Sequence, residues 1–196
     1  MSIHKNRTEN GFTLIELLVV IAIVGILASI VLAFLNSARA KARDARRLQD
    51  MAEIVKALNI YYYKYETFPA VSGSSGGRCR IDNKWWDTGY VGGQSGDDNF
   101  IQQLENDNLF KKTPGDPLTS GECEGYRYRF YEDCSVTSPC DGCTKPFFIL
   151  GVVDMESNPG AYNASPGWRC PGKSWQIGDP DAKADAMEWV TGGFAQ

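Results

Sequence analysis

Glu16 is a carboxylate set inside an apolar run of 24 residues, Phe12 to Leu35. An acid in a bilayer-spanning run costs ~3 kcal/mol or more, so its chemistry is that of a charge awaiting a partner. Phe12 stands four residues earlier, one helical turn away and on the same helix face. An amine at Phe12, if the chain were cut before it, would supply that partner, within the chain or from a staggered neighbour. Either pairing neutralises two charges that are expensive alone. Gly11 marks the junction between polar leader and apolar run, where a protease reaches an extended backbone.

Cys79, Cys123, Cys134, Cys140, Cys143 and Cys170 form the second reactive set. An even number of cysteines in a Gly-rich, loop-rich region suits disulfides in an oxidising compartment, with the connectivity open. Cys140-Asp141-Gly142-Cys143 has the spacing of a redox motif, but no βαβ pattern surrounds it. With Cys134 it offers thiolates for zinc, without a second well-spaced pair. The single histidine, His4, lies in the leader, so neither a Ser/His/Asp nor a Cys/His set forms once the leader is removed. No enzyme activity is expected. Asp97, Asp98, Asn99 and Asp107 place hard oxygens around a helix start, which makes them weak calcium candidates. Helix capping alone explains an Asp there, so no metal is assigned. Tyr61, Tyr62, Tyr63 and Tyr65 read as core packing, as do most of the tryptophans. Trp85 and Trp86 are the best surface candidates for a glycan or another partner.

These residues need elements to position them. The apolar run spans ~36 Å as a helix, enough to cross a bilayer. It is too long for a secretory signal's apolar core. Leu48, Met51, Val55, Leu58, Tyr62 and Tyr65 recur at three- and four-residue steps, which extends the helix as an amphipathic one. Pro69 ends it. Beyond lie a loop from Val71 to Gly77 and a short helix between Asp98 and Leu109, capped by Asp97 or Asp98 with Ile101 and Leu104 inward. A Pro114-Gly115-Asp116-Pro117 turn follows. Tyr126 to Tyr131 reads as a strand with one buried face, Phe147 to Val153 as the central strand and Ser174 to Ile177 as an edge. A last helix is expected from Asp179-Pro180 to near Gly192.

The formal charge of −4 hides an asymmetry. Arg39, Lys41, Arg43, Arg46 and Arg47 form a basic belt beyond the run, whereas 13 basic and 21 acidic residues follow from Leu48 onward. Such a head has no general nucleic-acid footprint. The belt suits lipid headgroups or the acidic heads of neighbouring copies. Taken alone, it also places the carboxyl end in the cytoplasm. The cysteines argue for the opposite orientation, with the head outside.

Gly11-Phe12-Thr13-Leu14-Ile15-Glu16-Leu17-Leu18-Val19-Val20 resembles the class III signal of type IV prepilins and type II secretion pseudopilins. The resemblance implies that a prepilin peptidase cuts between Gly11 and Phe12 and methylates the Phe12 amine, with Glu16 required for assembly. It implies an α+β, pilin-like fold, a long amino-terminal helical spine packed against a small antiparallel sheet head. The divisions are a leader (1–11), the membrane part of the spine (12–35), its amphipathic part (36–66) and a disulfide-containing extracytoplasmic head (67–196). The implied partners are the peptidase, like subunits, the filament assembly machinery and membrane lipid. By the same resemblance the chain is expected to be a filament subunit that starts in the cytoplasmic membrane and ends in an extracellular filament. Its counterpart in a secretion pseudopilus is the alternative. Leu109 to Tyr128 resembles the Asp-Pro turn and Tyr-x-Tyr strand of the major pseudopilins, with Gly121 to Gly125 inserted. Related secretion pseudopilins bind calcium in their heads, so the resemblance implies calcium as a candidate for the Asp97 group. A membrane-anchored binding or redox domain that never polymerises is the alternative from another class.

Overall fold

The structure, a computed structural model, describes residues 11–70, 86–87, 100–118, 125–157, 160 and 162–195. The chain divides into two compact units, Met1–Ala40 and Lys41–Gln196. One helix, α1 (Leu14–Tyr65), begins in the first and ends in the second. In the first unit its described large apolar side chains are exposed, and the helix is long and apolar enough to cross a bilayer. It stops where Glu66 turns left-handed (φ 56°) and its N–H bonds back to the Tyr62 carbonyl, three residues before Pro69.

The second unit is layered. A four-stranded antiparallel sheet runs in the order β1 (Trp86–Asp87), β2 (Tyr126–Tyr131), β3 (Phe147–Val152), β7 (Trp189–Phe194). A second sheet joins β4 (Arg169–Cys170), β5 (Lys173–Gln176) and β6 (Ala182–Met187). Side chains alternate across β2 and β3, so each strand feeds two cores. Tyr126, Tyr128, Phe148, Leu150 and Val152 pack with Met51, Ile54 and Leu58 of α1 and with Leu104 of α2 (Gln102–Asn106). Tyr131, Phe147 and Ile149 face the other way, against Trp175, Met187 and Val190. The Tyr128 hydroxyl donates to the Pro69 carbonyl (2.9 Å), fastening β2 to the chain that leaves α1.

Phe147 to Val152 is the central strand, as its unbroken apolar run predicts. Other expectations change. The final helix is absent, because residues 182–194 form β6 and β7. Three alanines favour a helix there, but strand pairing with β3 and β5 overrides propensity. A Cβ on Gly192 would lie 2.5 Å from the Trp168 ring, and one on Gly193 2.7 Å from Phe148, so these glycines are slots for aromatic rings. The expected edge at Ser174 is the middle strand of the second sheet, because Trp175 fills the core between the sheets. The short helix covers Gln102–Asn106 only and starts after a left-handed Ile101 (φ 51°), with Ile101 and Leu104 buried as expected. Asp97 and Asp98, its expected caps, lie outside the described residues. Strand β2 is buried beyond one face, since Arg127 is 7% exposed. The buried stripe of α1 is also rotated toward Ile54 and Ala57, leaving Tyr65 half exposed and Tyr63 91% exposed. Tyr61 and Tyr62 pack against the core.

Candidate functional site

Residues 11–13 are not helical, and Thr13 opens α1. The Glu16 carboxylate folds back over this end. Its Oε2 accepts from the Thr13 N–H (2.9 Å) and from the Thr13 hydroxyl (2.7 Å), while the Glu16 N–H reaches the Thr13 Oγ1 (3.3 Å). This is a capping box, which satisfies helix donors that have no partner within the helix. Phe12 is 80% exposed beside it, and a Cβ built on Gly11 would meet nothing within 4 Å. The junction is therefore exposed, and the acid is hydrogen-bonded to Thr13, the residue that follows Phe12. Thr13 carries no charge, and the T-x-x-E spacing is the sequence signal of its capping role.

Residues 6–32 match the profile of the prokaryotic N-terminal methylation motif. The chain carries that motif. Similar proteins include the type II secretion system core protein G of Aeromonas hydrophila, 37% identical over 65 residues, 33% of this chain and 46% of that protein. The core protein G of Escherichia coli K12 is 34% identical over 64 residues, 33% of this chain and 44% of that one. The fimbrial protein of Neisseria meningitidis is 35% identical over 79 residues, 40% and 46% of the two chains. The chain thus spans less than half the length of these relatives. No solved structure matches it. The methylation motif and the capping box share one end of one helix, with Gly11, Phe12, Thr13 and Glu16 in a single segment.

The cysteines of the second unit are committed elsewhere. Cys134 bonds to Cys140 and Cys143 to Cys170; Cys79 and Cys123 lie outside the described residues. Asp141 (φ 49°) and Gly142 (φ 91°) make a two-residue hairpin turn, so Cys140 and Cys143 exchange both backbone hydrogen bonds at 2.9 Å. Such a hydrogen-bonded pair holds its Cβ atoms farther apart than the ~3.8 Å a disulfide prefers. The redox spacing therefore reflects a turn between two structural bridges. Peptide mapping without reduction should recover Cys134–Cys140 and Cys143–Cys170, with no Cys140–Cys143 species. Replacing both Cys143 and Cys170 by serine should cost about 3–4 kcal/mol against about 2 kcal/mol for the shorter loop, by chain entropy. Denaturant melts of the two double variants compare them.

Asp107 does not act as a free oxygen ligand. Its Oδ1 accepts from the Lys64 ammonium and the Tyr65 hydroxyl, both at 2.6 Å, and the Lys64 bond above all holds its carboxyl below the usual range. Asp97, Asp98 and Asn99 lie outside the described residues, and among the described residues no group of three or more such ligands is gathered. Trp175 and Trp189 are core, Trp168 is half-buried, and Trp85 lies outside the described residues.

The basic belt divides. Arg39, Lys41 and Arg46 are exposed, whereas Arg43 and Arg47 turn inward, which corrects their reading as lipid or lattice contacts. The Arg47 side chain is 3% exposed. Its Nε and one terminal nitrogen grip Asp116 (2.8 and 2.9 Å), and the other terminal nitrogen reaches Asp44 and Glu156, both at 2.7 Å. Arg43 forks onto Glu156 as well. Asp44 accepts the backbone N–H groups of Glu156 (3.1 Å) and Ser157 (2.8 Å). Arg47 thereby ties the helix to two loops of the head. Burial pushes the Asp44 carboxyl up, but the hydrogen bonds of Ser157, Glu156 and Arg47 outweigh it and leave it lowered. Burial raises the carboxyl of nearby Asp50, against a 2.7 Å bond from the Tyr126 hydroxyl. The available signal was helical spacing, because Asp44 and Arg47 continue the buried stripe of Met51, Ile54 and Leu58.

Proposed function

We propose that this chain is a structural subunit of a type IV filament. The apolar half of α1 stores it in the cytoplasmic membrane with the head outside, prepilin peptidase cuts between Gly11 and Phe12, and the Phe12 amine is methylated. Assembly machinery then polymerises the subunit with like subunits through α1. The observation that carries this reading is the methylation motif lying on a helix start whose one acid, Glu16, folds back onto Thr13, the residue after Phe12. The bridges of the head suit an oxidising compartment, which supports the orientation. The role is structural rather than catalytic. Resemblance to proteins named type II secretion system core protein G favours a second reading, a secretion pseudopilus built from the same processed subunit.

Mass spectrometry of the native amino terminus tests both. The mature chain is expected to begin at methylated Phe12, and an intact Met1 terminus beside an active peptidase would overturn the proposal. Gly11→Val is expected to block cutting, because a β-branched residue restricts the extended backbone the protease must hold. The open space around Gly11 means the variant meets no steric conflict within the chain, so a failure to cut reports on the peptidase.

A further inference from the structure

The loop between β3 and β4 carries a motif that the filament reading leaves unused, Asn163-Ala164-Ser165. Asn-x-Ser with a non-proline centre is the acceptor pattern for N-linked sugar. The pattern occurs once more, at Asn6-Arg7-Thr8, in the leader that processing would remove. Residues 162–165 form a turn closed by the Ser165 N–H on the Tyr162 carbonyl (2.8 Å), and the Tyr162 N–H bonds to the Glu188 carbonyl (2.9 Å). Tyr162 packs on the core, so Asn163 and Ala164 stand at the tip of the turn, both exposed. Among the described residues the Asn163 carboxamide makes no hydrogen bond. The closed head therefore has room for a group on that nitrogen.

Ser165 is placed differently. Its hydroxyl donates to the Val190 carbonyl (3.2 Å) and accepts from the N–H groups of Val190 (2.9 Å) and Gly167 (3.3 Å). These bonds use its one proton and both lone pairs. A transferase that selects Asn-x-Ser must reach this hydroxyl, and in the folded head it is spent on β7. The motif is thus complete only before residues 162–165 dock.

We propose that Asn163 is an N-glycosylation site, filled from outside the membrane before this turn closes on β7. The donor is an oligosaccharide carried on a polyprenyl pyrophosphate. The Asn163 amide nitrogen bonds to the anomeric carbon of the sugar. The bond from that carbon to the pyrophosphate oxygen breaks with its electron pair on the oxygen, and the amide loses one proton to the transferase. The proposal takes the outward orientation of the head from the filament reading.

Mass spectrometry of full-length protein from its own cells should find a sugar mass on Asn163. The mass should be lost in Asn163→Gln and Ser165→Ala and kept in Ser165→Thr, which retains the hydroxyl. Membranes of those cells should glycosylate the reduced, unfolded chain and not the oxidised, folded one. A bare Asn163, a sugar that survives Asn163→Gln, or equal transfer to the folded chain overturns the proposal. A bare Asn163 on a chain that begins at methylated Phe12 leaves the filament reading intact, and a sugar on Asn163 of a chain that keeps Met1 overturns that reading alone.

Discussion

Glu16→Leu is expected to leave a folded, cleavable membrane protein that no longer assembles. Leucine removes a costly acid from the apolar run, so insertion improves. Thr13 remains as the helix cap, and losing the Glu16 half of the box weakens only the first turn. Assembly loses much more, because each incoming Phe12 amine would enter an apolar environment with no acid to meet. Leaving one member of a buried ion pair alone costs about 3–5 kcal/mol, a loss of about a hundredfold or more in subunit addition. Two conservative changes separate charge from capping. Glu16→Gln keeps an acceptor for Thr13 but no charge, and should fail like leucine. Glu16→Asp keeps the charge with a shorter reach, and should fall between. Filament yield against the amount of processed subunit measures all three, and normal yield in Glu16→Gln would show that capping, not charge pairing, is what the acid provides.

Arg47→Met should be the most damaging single change in the head. Methionine fills much of the volume, yet it leaves Asp44, Asp116 and Glu156 facing one another without the cation they share. Removing one partner from a buried ionic cluster costs about 3–5 kcal/mol, and a domain of this size should melt about 10 °C lower. Arg47→Lys should recover part of this, since a lysine supplies the charge but cannot grip Asp116 with two parallel bonds.

The pH dependence has a definite sign. Arg43 first, then Arg47, hold the Glu156 carboxyl below its ordinary range, and Asp44 is lowered too. Carboxyls lowered by folding stabilise the protein above their unfolded values near ~4, and that contribution is lost as pH falls through the folded ones. Without Arg47 the carboxylates repel, and protonation relieves them. The deficit of Arg47→Met should therefore be largest near neutral pH and shrink on acidification toward ~4. Urea melts across that range check it, and a deficit independent of pH would mean that Arg47 acts through packing alone.

Features written in short-range patterns were legible from the chain. The length of α1, the acid inside it, the strands at Tyr126 and Phe147 and the end of the helix before Pro69 each follow from hydropathy, spacing or turn chemistry within a few residues. The motif that holds Gly11, Phe12 and Glu16 belongs to this class, because the profile it matches is one contiguous stretch, residues 6–32. Features that depend on a distant partner were not legible. Residues 182–194 are strands because β3 and β5 offer them hydrogen bonds, against their own alanine content. Cys140 and Cys143 bond apart because a tight turn holds them while Cys134 and Cys170 come within reach. Arg47 looks like one of five surface cations until Asp116, 69 residues away, and Glu156, 109 residues away, close around it. Local patterns record what a residue prefers, and only the packed structure supplies the partners that override or satisfy that preference.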